Sequence, residues 1–120
     1  MIKILIVEDS ASLRALLKTV LTIAGYEVTE AGDGEQALSM LSDGSFDLLI
    51  TDLNLPGMDG IRFIAAVQNL SCYLQLPILV MSGEPSSKRR RECLSAGASE
   101  YLQKPFTGDV VLGFMRMLLK

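Results

Sequence analysis

The 120-residue chain contains no histidine and no tryptophan. Without an imidazole of its own it can run neither Ser-His-Asp hydrolysis nor Cys-His proteolysis, nor hold zinc through histidine. Its two cysteines, Cys72 and Cys93, are too few and too isolated for a disulfide scaffold or a cysteine-cluster zinc site. Basic charge is not in excess: eleven lysines and arginines face fourteen acids, a net −3. That balance argues against direct nucleic-acid binding as the work of this domain. Long apolar runs are missing too. The N-terminal run is stopped after seven residues by Glu8 and Asp9, too short for a signal peptide. No stretch approaches the roughly 18 apolar residues of a membrane span. The chain reads as soluble and cytoplasmic, with no membrane segment.

What is present suffices for a core. Hydrophobic residues make up 49% and charged ones 21%, which excludes intrinsic disorder. The length suits one domain, residues 1–120. Short apolar runs alternate with longer amphipathic ones. Residues 2–7 are β-branched and aliphatic, a strand buried on both faces. Over 10–24 the period changes: Leu13, Leu16, Leu17, Val20, Leu21 and Ala24 form one helical stripe, and Gly25 is a fitting stop. The same reasoning predicts strands over 26–30, 46–51, 77–81 and 99–103. It predicts helices over 33–42, from a cap at Asp59 to about Asn69, over 86–96 and over 107–120. Five βα units with short linkers imply a parallel five-stranded sheet with helices on both faces.

In such a sheet ligands bind beyond the carboxyl ends of the strands, where strand order reverses. Glu8 and Asp9 follow the first strand, Asp52 and Asn54 the third, Ser82 the fourth and Lys104 the fifth. In the flavodoxin-like order 2-1-3-4-5 the first and third strands are neighbours, and three carboxylates meet at one edge. Their mutual repulsion is offset by a hard divalent cation, Mg²⁺ above all, and by the Lys104 ammonium. Asp52 is then the candidate nucleophile for an aspartyl-phosphate, with Lys104 and the Ser82 hydroxyl on the transferring oxygens. Any one of these residues alone is an ordinary loop acid or surface lysine. Five of them, Glu8, Asp9, Asp52, Ser82 and Lys104, at the correct strand ends are not.

Four motifs resemble the response-regulator receiver domain of two-component signalling, chemotaxis-type single-domain receivers in particular. They are Ile-Leu-Ile-Val-Glu-Asp at 4–9, Asp-Leu-Leu-Ile-Thr-Asp-Leu-Asn-Leu-Pro-Gly-Met-Asp-Gly at 47–60, Met-Ser-Gly at 81–83 and Lys-Pro-Phe at 104–106. The resemblance spans essentially the whole chain. It implies a phosphorylation-activated switch, not an enzyme in the ordinary sense, whose Asp52 accepts phosphate from a histidine kinase or phosphotransfer protein. It implies Mg²⁺ on Glu8, Asp9, Asp52 and the Asn54 carbonyl, phosphoryl contacts from Ser82, the Gly83 amide and Lys104, and a cis bond before Pro105. Tyr101 matches the aromatic that turns inward when Ser82 moves. Asn54 and Glu84 flank the path of the hydrolysing water and either tune the phosphoryl lifetime or are merely solvated. The Glu-Asp pair replaces a commoner Asp-Asp, and Ser82 a commoner threonine.

Two surfaces point to partners. Lys88-Arg89-Arg90-Arg91 opens the fourth helix, where cations oppose the helix dipole, and that helix has little apolar content beyond Cys93, Leu94 and Ala96. The basic run is either a solvated face or a docking patch for an acidic partner, and the marginal helix suits a switching element. In the last helix Val111, Met115, Leu118 and Leu119 form a stripe to bury. Val110, Phe114 and Met117 form a second stripe rotated away from it. That second stripe is overspill of the core, or an interface for a homodimer or a downstream effector domain. By the resemblance, the output face joins the fourth helix, fifth strand and fifth helix. A Mg²⁺-dependent phosphatase would carry a second aspartate where Asn54 stands. A flavodoxin-like cofactor carrier would carry a glycine- and hydroxyl-rich loop where Glu8 and Asp9 stand. A pseudo-receiver acting as a passive binding module is the remaining alternative.

Overall fold

The structure is a computed structural model and describes residues 1–70, 73, 75–84 and 86–119. Cys72 and the C-terminal end of the last predicted helix at Lys120 lie outside the described residues. The elements are β1 (Lys3–Val7), α1 (Ala11–Ile23), β2 (Glu27–Ala31), α2 (Gly34–Asp43) and β3 (Leu48–Asp52), then β4 (Asn54–Leu55), β5 (Met58–Asp59) and α3 (Gly60–Gln68). The rest are β6 (Ile78–Ser82), α4 (Ser87–Ala96), β7 (Glu100–Gln103) and α5 (Gly108–Leu118). The main sheet is parallel with order β2-β1-β3-β6-β7. Counting only its own strands, that is the expected flavodoxin-like 2-1-3-4-5.

Strand alternation divides the core in two. Ile4 and Ile6 of β1, Leu48 and Ile50 of β3, and Leu79 and Met81 of β6 face α1 and α5, where Leu17, Leu21, Val111 and Met115 close the layer. Leu5, Val7, Leu49, Ile78 and Val80 point to the opposite face, covered by Ala37 and Leu41 of α2, Phe63, Ile64 and Val67 of α3, and Cys93 of α4. The starts of α1 to α4 are set locally by side-chain caps, whereas Thr107 before α5 makes no such bond. The side chains of Ser10, Asp33, Asp59 and Ser86 accept from the amides of Leu13, Gln36, Ile61 and Arg89. Gly25 takes φ +100° just past α1, the left-handed stop that its position predicts. Among the described residues no helix is long and apolar enough to cross a membrane.

Four expectations need correction. The stripe of α1 is narrower than the sequence implies, because Leu16 and Ala24 are exposed while Leu17 and Leu21 are buried. A helix against one sheet face buries only the residues directly under its axis. β2 and β3 each end one residue later than predicted, at Ala31 and Asp52, and β3 starts at Leu48, not residue 46. The Asn54–Leu55/Met58–Asp59 hairpin was not foreseen. It pairs antiparallel around Gly57, whose φ of +72° supplies the turn. In α5, Val111 and Met115 are buried and Val110 and Met117 exposed as expected, but Phe114 is half-buried against the core, and Leu118 and Leu119 are only partly covered.

Candidate functional site

Backbone hydrogen bonds carry the sheet pattern one step beyond the strands and fix the residues that follow them. The Glu8 amide donates to the Ala31 carbonyl at 3.1 Å, the Leu53 amide to Met81 at 3.0 Å, and the Lys104 amide to Ser82 at 2.8 Å. Adjacent parallel strands therefore bring Glu8, Asp52, Ser82 and Lys104 to one edge, with Asp9 beside them. Glu8, Asp52 and Ser82 are buried, Lys104 is half-buried, and Asp9 is exposed at the mouth. Carboxylate oxygens of Glu8, Asp9 and Asp52 all lie within 4.8 Å of one another.

Lys104 reaches into this group. Its Nζ donates to Glu8 Oε1 at 2.9 Å and to Asp52 Oδ2 at 3.1 Å. The second oxygen of each carboxylate is held by backbone: Glu8 Oε2 accepts from the Ser10 amide at 3.1 Å, and Asp52 Oδ1 from the Asn54 amide at 3.2 Å. Burial pushes the Glu8 carboxyl above its ordinary 4.5, and Asp9 and Asp52 push the same way, against the lowering pull of Lys104 and the Ser10 amide. For Lys104, burial alone would lower the ammonium. Its bonds to Glu8 and Asp52 outweigh that and hold it above 10.5. The two shifts differ in cause: burial dominates for Glu8, and the two carboxylates together dominate for Lys104. Three carboxylates against one ammonium leave two negative charges, which a divalent cation would match, and the all-oxygen donor set suits a hard ion such as Mg²⁺.

The other predicted residues fall around this centre. Ser82 Oγ accepts from the Glu84 amide at 3.1 Å, and Tyr101 donates its hydroxyl to the Glu84 carbonyl at 2.7 Å. Gly83 is exposed beside them, with open space where a Cβ would stand. The Lys104-Pro105 peptide is cis, as expected. Asn54 is exposed on β4, and a cleft of about 580 Å³ lined by Asp9, Asn54, Pro56, Met58 and Asp59 opens next to the acidic edge.

Two participants escaped sequence reasoning. Arg14 Nη1 donates to the Glu8 carbonyl at 2.6 Å, clamping the chain where it leaves β1. A cation between Leu13 and Leu17 on the inward stripe of α1 was the available signal. Gly60 was the other. A Cβ there would stand 2.3 Å from the Leu53 carbonyl oxygen and 2.7 Å from its Cα, so only glycine lets the start of α3 lie against the residue after Asp52.

Comparison with known proteins agrees with this geometry. The model of the response regulator receiver domain family matches residues 4–115. The chain is 42% identical over 110 residues to the chemotaxis protein CheY of Pseudomonas aeruginosa, covering 91% of this chain and 89% of the relative. It is 40% identical over 106 residues to CheY-3 of Vibrio cholerae, covering 88% and 82%. The structure of CheY4 of Vibrio cholerae superposes with a TM-score of 0.94 at 38% identity, covering 98% of each chain. TrrA of Thermotoga maritima, solved in complex with Mg(2+)-BeF, gives 0.86 at 31% identity, covering 98% of this chain and 99% of that one. From the first strand to the last helix, then, this chain belongs to the response regulator receiver domain family.

Proposed function

We propose that Asp52 is the phosphoacceptor of this receiver, and that the whole of residues 1–120 forms the switching unit. The observation that carries the reading is the Lys104 ammonium bridging the buried Glu8 and Asp52 carboxylates at a strand-end edge, with Asp9 at its mouth. An Asp52 carboxylate oxygen attacks the phosphorus of the donor. The P–N bond of a phosphohistidine breaks, its electron pair stays on the imidazole nitrogen, and an acyl phosphate remains on Asp52. Glu8, Asp9, Asp52 and the Asn54 carbonyl are the residues that would hold Mg²⁺, which when bound supplies charge neutralisation to the phosphoryl oxygens. The chain's own residues do the rest. Lys104 stabilises charge on the transferring group, and the Ser82 hydroxyl and Gly83 amide receive its oxygens. Glu8 is held in place by Lys104 and the Ser10 amide.

In this reading the chain assists its own phosphorylation and dephosphorylation without being an enzyme in the ordinary sense. Asn54 and Glu84 border the approach of the hydrolysing water and set the lifetime of the acyl phosphate. Tyr101 follows the Ser82 loop through its bond to the Glu84 carbonyl. A histidine kinase or phosphotransfer protein supplies the phosphoryl group in the cytoplasm. A partner or effector domain reads the α4–β7–α5 face, where the exposed Val110 and Met117 beside Phe114 offer an apolar patch for an effector or a second copy. A passive pseudo-receiver is the poorer reading, because it would have no use for a buried pair of carboxylates kept at the cost of their repulsion.

The test is intact mass after incubation with acetyl phosphate and Mg²⁺, beside Asp52→Asn and a chelator control, with size-exclusion chromatography on both states. One added phosphoryl group, lost in the variant and without metal, is expected. No addition under any condition would sink the phosphoacceptor reading, and an unchanged elution volume would sink the dimer.

A further inference from the structure

The fourth helix has little to hold it. Cys93 is its buried residue, and its first turns carry Lys88, Arg89, Arg90 and Arg91 against the helix dipole. Polar contacts with α3 stand in for an apolar face. At the far end Gln68 Nε2 donates to the Gly97 carbonyl at 3.1 Å. At the near end Arg89 Nη2 lies 3.4 Å from Asp59 Oδ1, the same oxygen that caps α3 through the Ile61 amide. The Arg89 guanidinium also lies 4.0 Å from Glu84 Oε2 and 3.9 Å from Glu92 Oε2. Its neighbours Lys88, Arg90 and Arg91 are exposed, whereas Arg89 is turned inward and half-buried.

Glu84 stands at the other end of this contact, and each of its polar groups is held by a different part of the molecule. Its amide donates to Ser82 Oγ, its carbonyl accepts from the Tyr101 hydroxyl, and its carboxylate faces Arg89. We infer that Arg89 is a positioning residue: by tying Glu84 to the capped start of α3, it restrains the Ser82–Glu84 turn and so holds the site in its unphosphorylated arrangement. The inference rests on the phosphoacceptor reading above. Movement of Ser82 toward a phosphoryl group on Asp52 carries the turn with it, and the turn cannot move without stretching the line from Glu84 through Arg89 to Asp59. A partly exposed ion pair is weak. That suits a restraint that phosphorylation must release, and it sets the expected effect at about two- to fivefold.

The experiment compares the full chain with Arg89→Gln, Arg89→Lys and Asp59→Asn. Asparagine still caps α3 through Oδ1, so the last variant removes the charge of the anchor without removing the cap. Residue-resolved amide exchange in the unphosphorylated protein reads the restraint directly. The Glu84 and Arg89 amides should exchange about two- to fivefold faster in Arg89→Gln and Asp59→Asn, and at an intermediate rate in Arg89→Lys, whose single ammonium does not span both carboxylates. The rate of phosphorylation by acetyl phosphate should rise by the same factor in the first two variants. A role of Arg89 in attracting the anionic donor gives the opposite sign, a slower reaction in Arg89→Gln. Unchanged exchange in Arg89→Gln, or a rate equal to or below that of the original chain, overturns the inference. Should the original chain itself take no phosphoryl group, the phosphoacceptor reading fails, and the exchange measurement alone then decides whether Arg89 restrains Glu84.

Discussion

The Lys104 ammonium donates to the Glu8 carboxylate at 2.9 Å across 96 residues of chain, joining the loop after the first strand to the loop after the last. Glu8 is buried and Lys104 only partly so, which makes the contact asymmetric: the carboxylate depends on the ammonium more than the ammonium on the carboxylate. Lys104→Met should therefore destabilise the metal-free protein by about 1–3 kcal/mol at pH 7, below the range for a fully buried pair because Lys104 is partly solvated. The loss should be smaller at pH 5 than at pH 7, because a raised Glu8 carboxyl takes up a proton more readily at the lower pH. Urea unfolding at the two pH values checks both statements.

Glu8 and Lys104 also set the pH dependence. The folded Glu8 pKa is raised, so the folded state binds more protons than the unfolded one once pH exceeds about 4.5. Stability in the absence of metal therefore declines as pH rises through the folded value, and Glu8→Gln should flatten that decline. The raised Lys104 pKa acts higher on the scale: its contribution is complete below 10.5 and is lost as pH rises through the folded value. Chemical denaturation from pH 5 to 11 with a chelator present measures both windows. A Glu8→Gln variant whose metal-free stability profile matches that of the original chain would contradict the Glu8 assignment.

Added Mg²⁺ should raise the unfolding temperature, because the cation binds the assembled carboxylates and not the open chain. At ten times the dissociation constant the gain is about 1.4 kcal/mol. Asp9→Asn removes an exposed ligand, so it should abolish this response while leaving the metal-free stability within about 0.5 kcal/mol of the original. Thermal unfolding with and without Mg²⁺ separates the two.

Gly60→Ala should cost about 1–3 kcal/mol, since its Cβ meets the Leu53 backbone, which cannot turn aside as a side chain can. Gly83→Ala, with open space around the new methyl group, should fold with near-original stability. Phosphorylation kinetics of Gly83→Ala then report on the site without a folding defect.

Tyr73 donates its hydroxyl toward the carbonyls of Leu41 and Gly44, both at 2.8 Å, and so closes the end of α2. Tyr73→Phe should lower stability by about 1–2 kcal/mol by leaving these carbonyls less well satisfied. Exchange of the α2 amides locates the effect.

The sequence made the five βα units, the strand-end acids and Lys104 readable because each rests on a local rule. Strands buried on both faces must be apolar, so Glu8, Asp52 and Ser82 stand out where those runs end. The hairpin around Gly57 was not readable, because two-residue strands leave no period to detect. Nor was the exposure of Leu16, since the width of sheet available to α1 is fixed by its neighbours and not by α1.

By itself the sequence determined which residues could meet: hydrophobic period assigns each segment to a strand or helix, and strand ends collect the polar residues. Only the tertiary structure decided which of them touch. Strand order places β1, β3, β6 and β7 so that Lys104 bridges Glu8 and Asp52, and the packing of α4 on α3 turns Arg89 toward Asp59 and Glu84 while Lys88, Arg90 and Arg91 face outward. Four consecutive cations look alike in a sequence. Their surroundings come from elements dozens of residues away, and no local pattern encodes those.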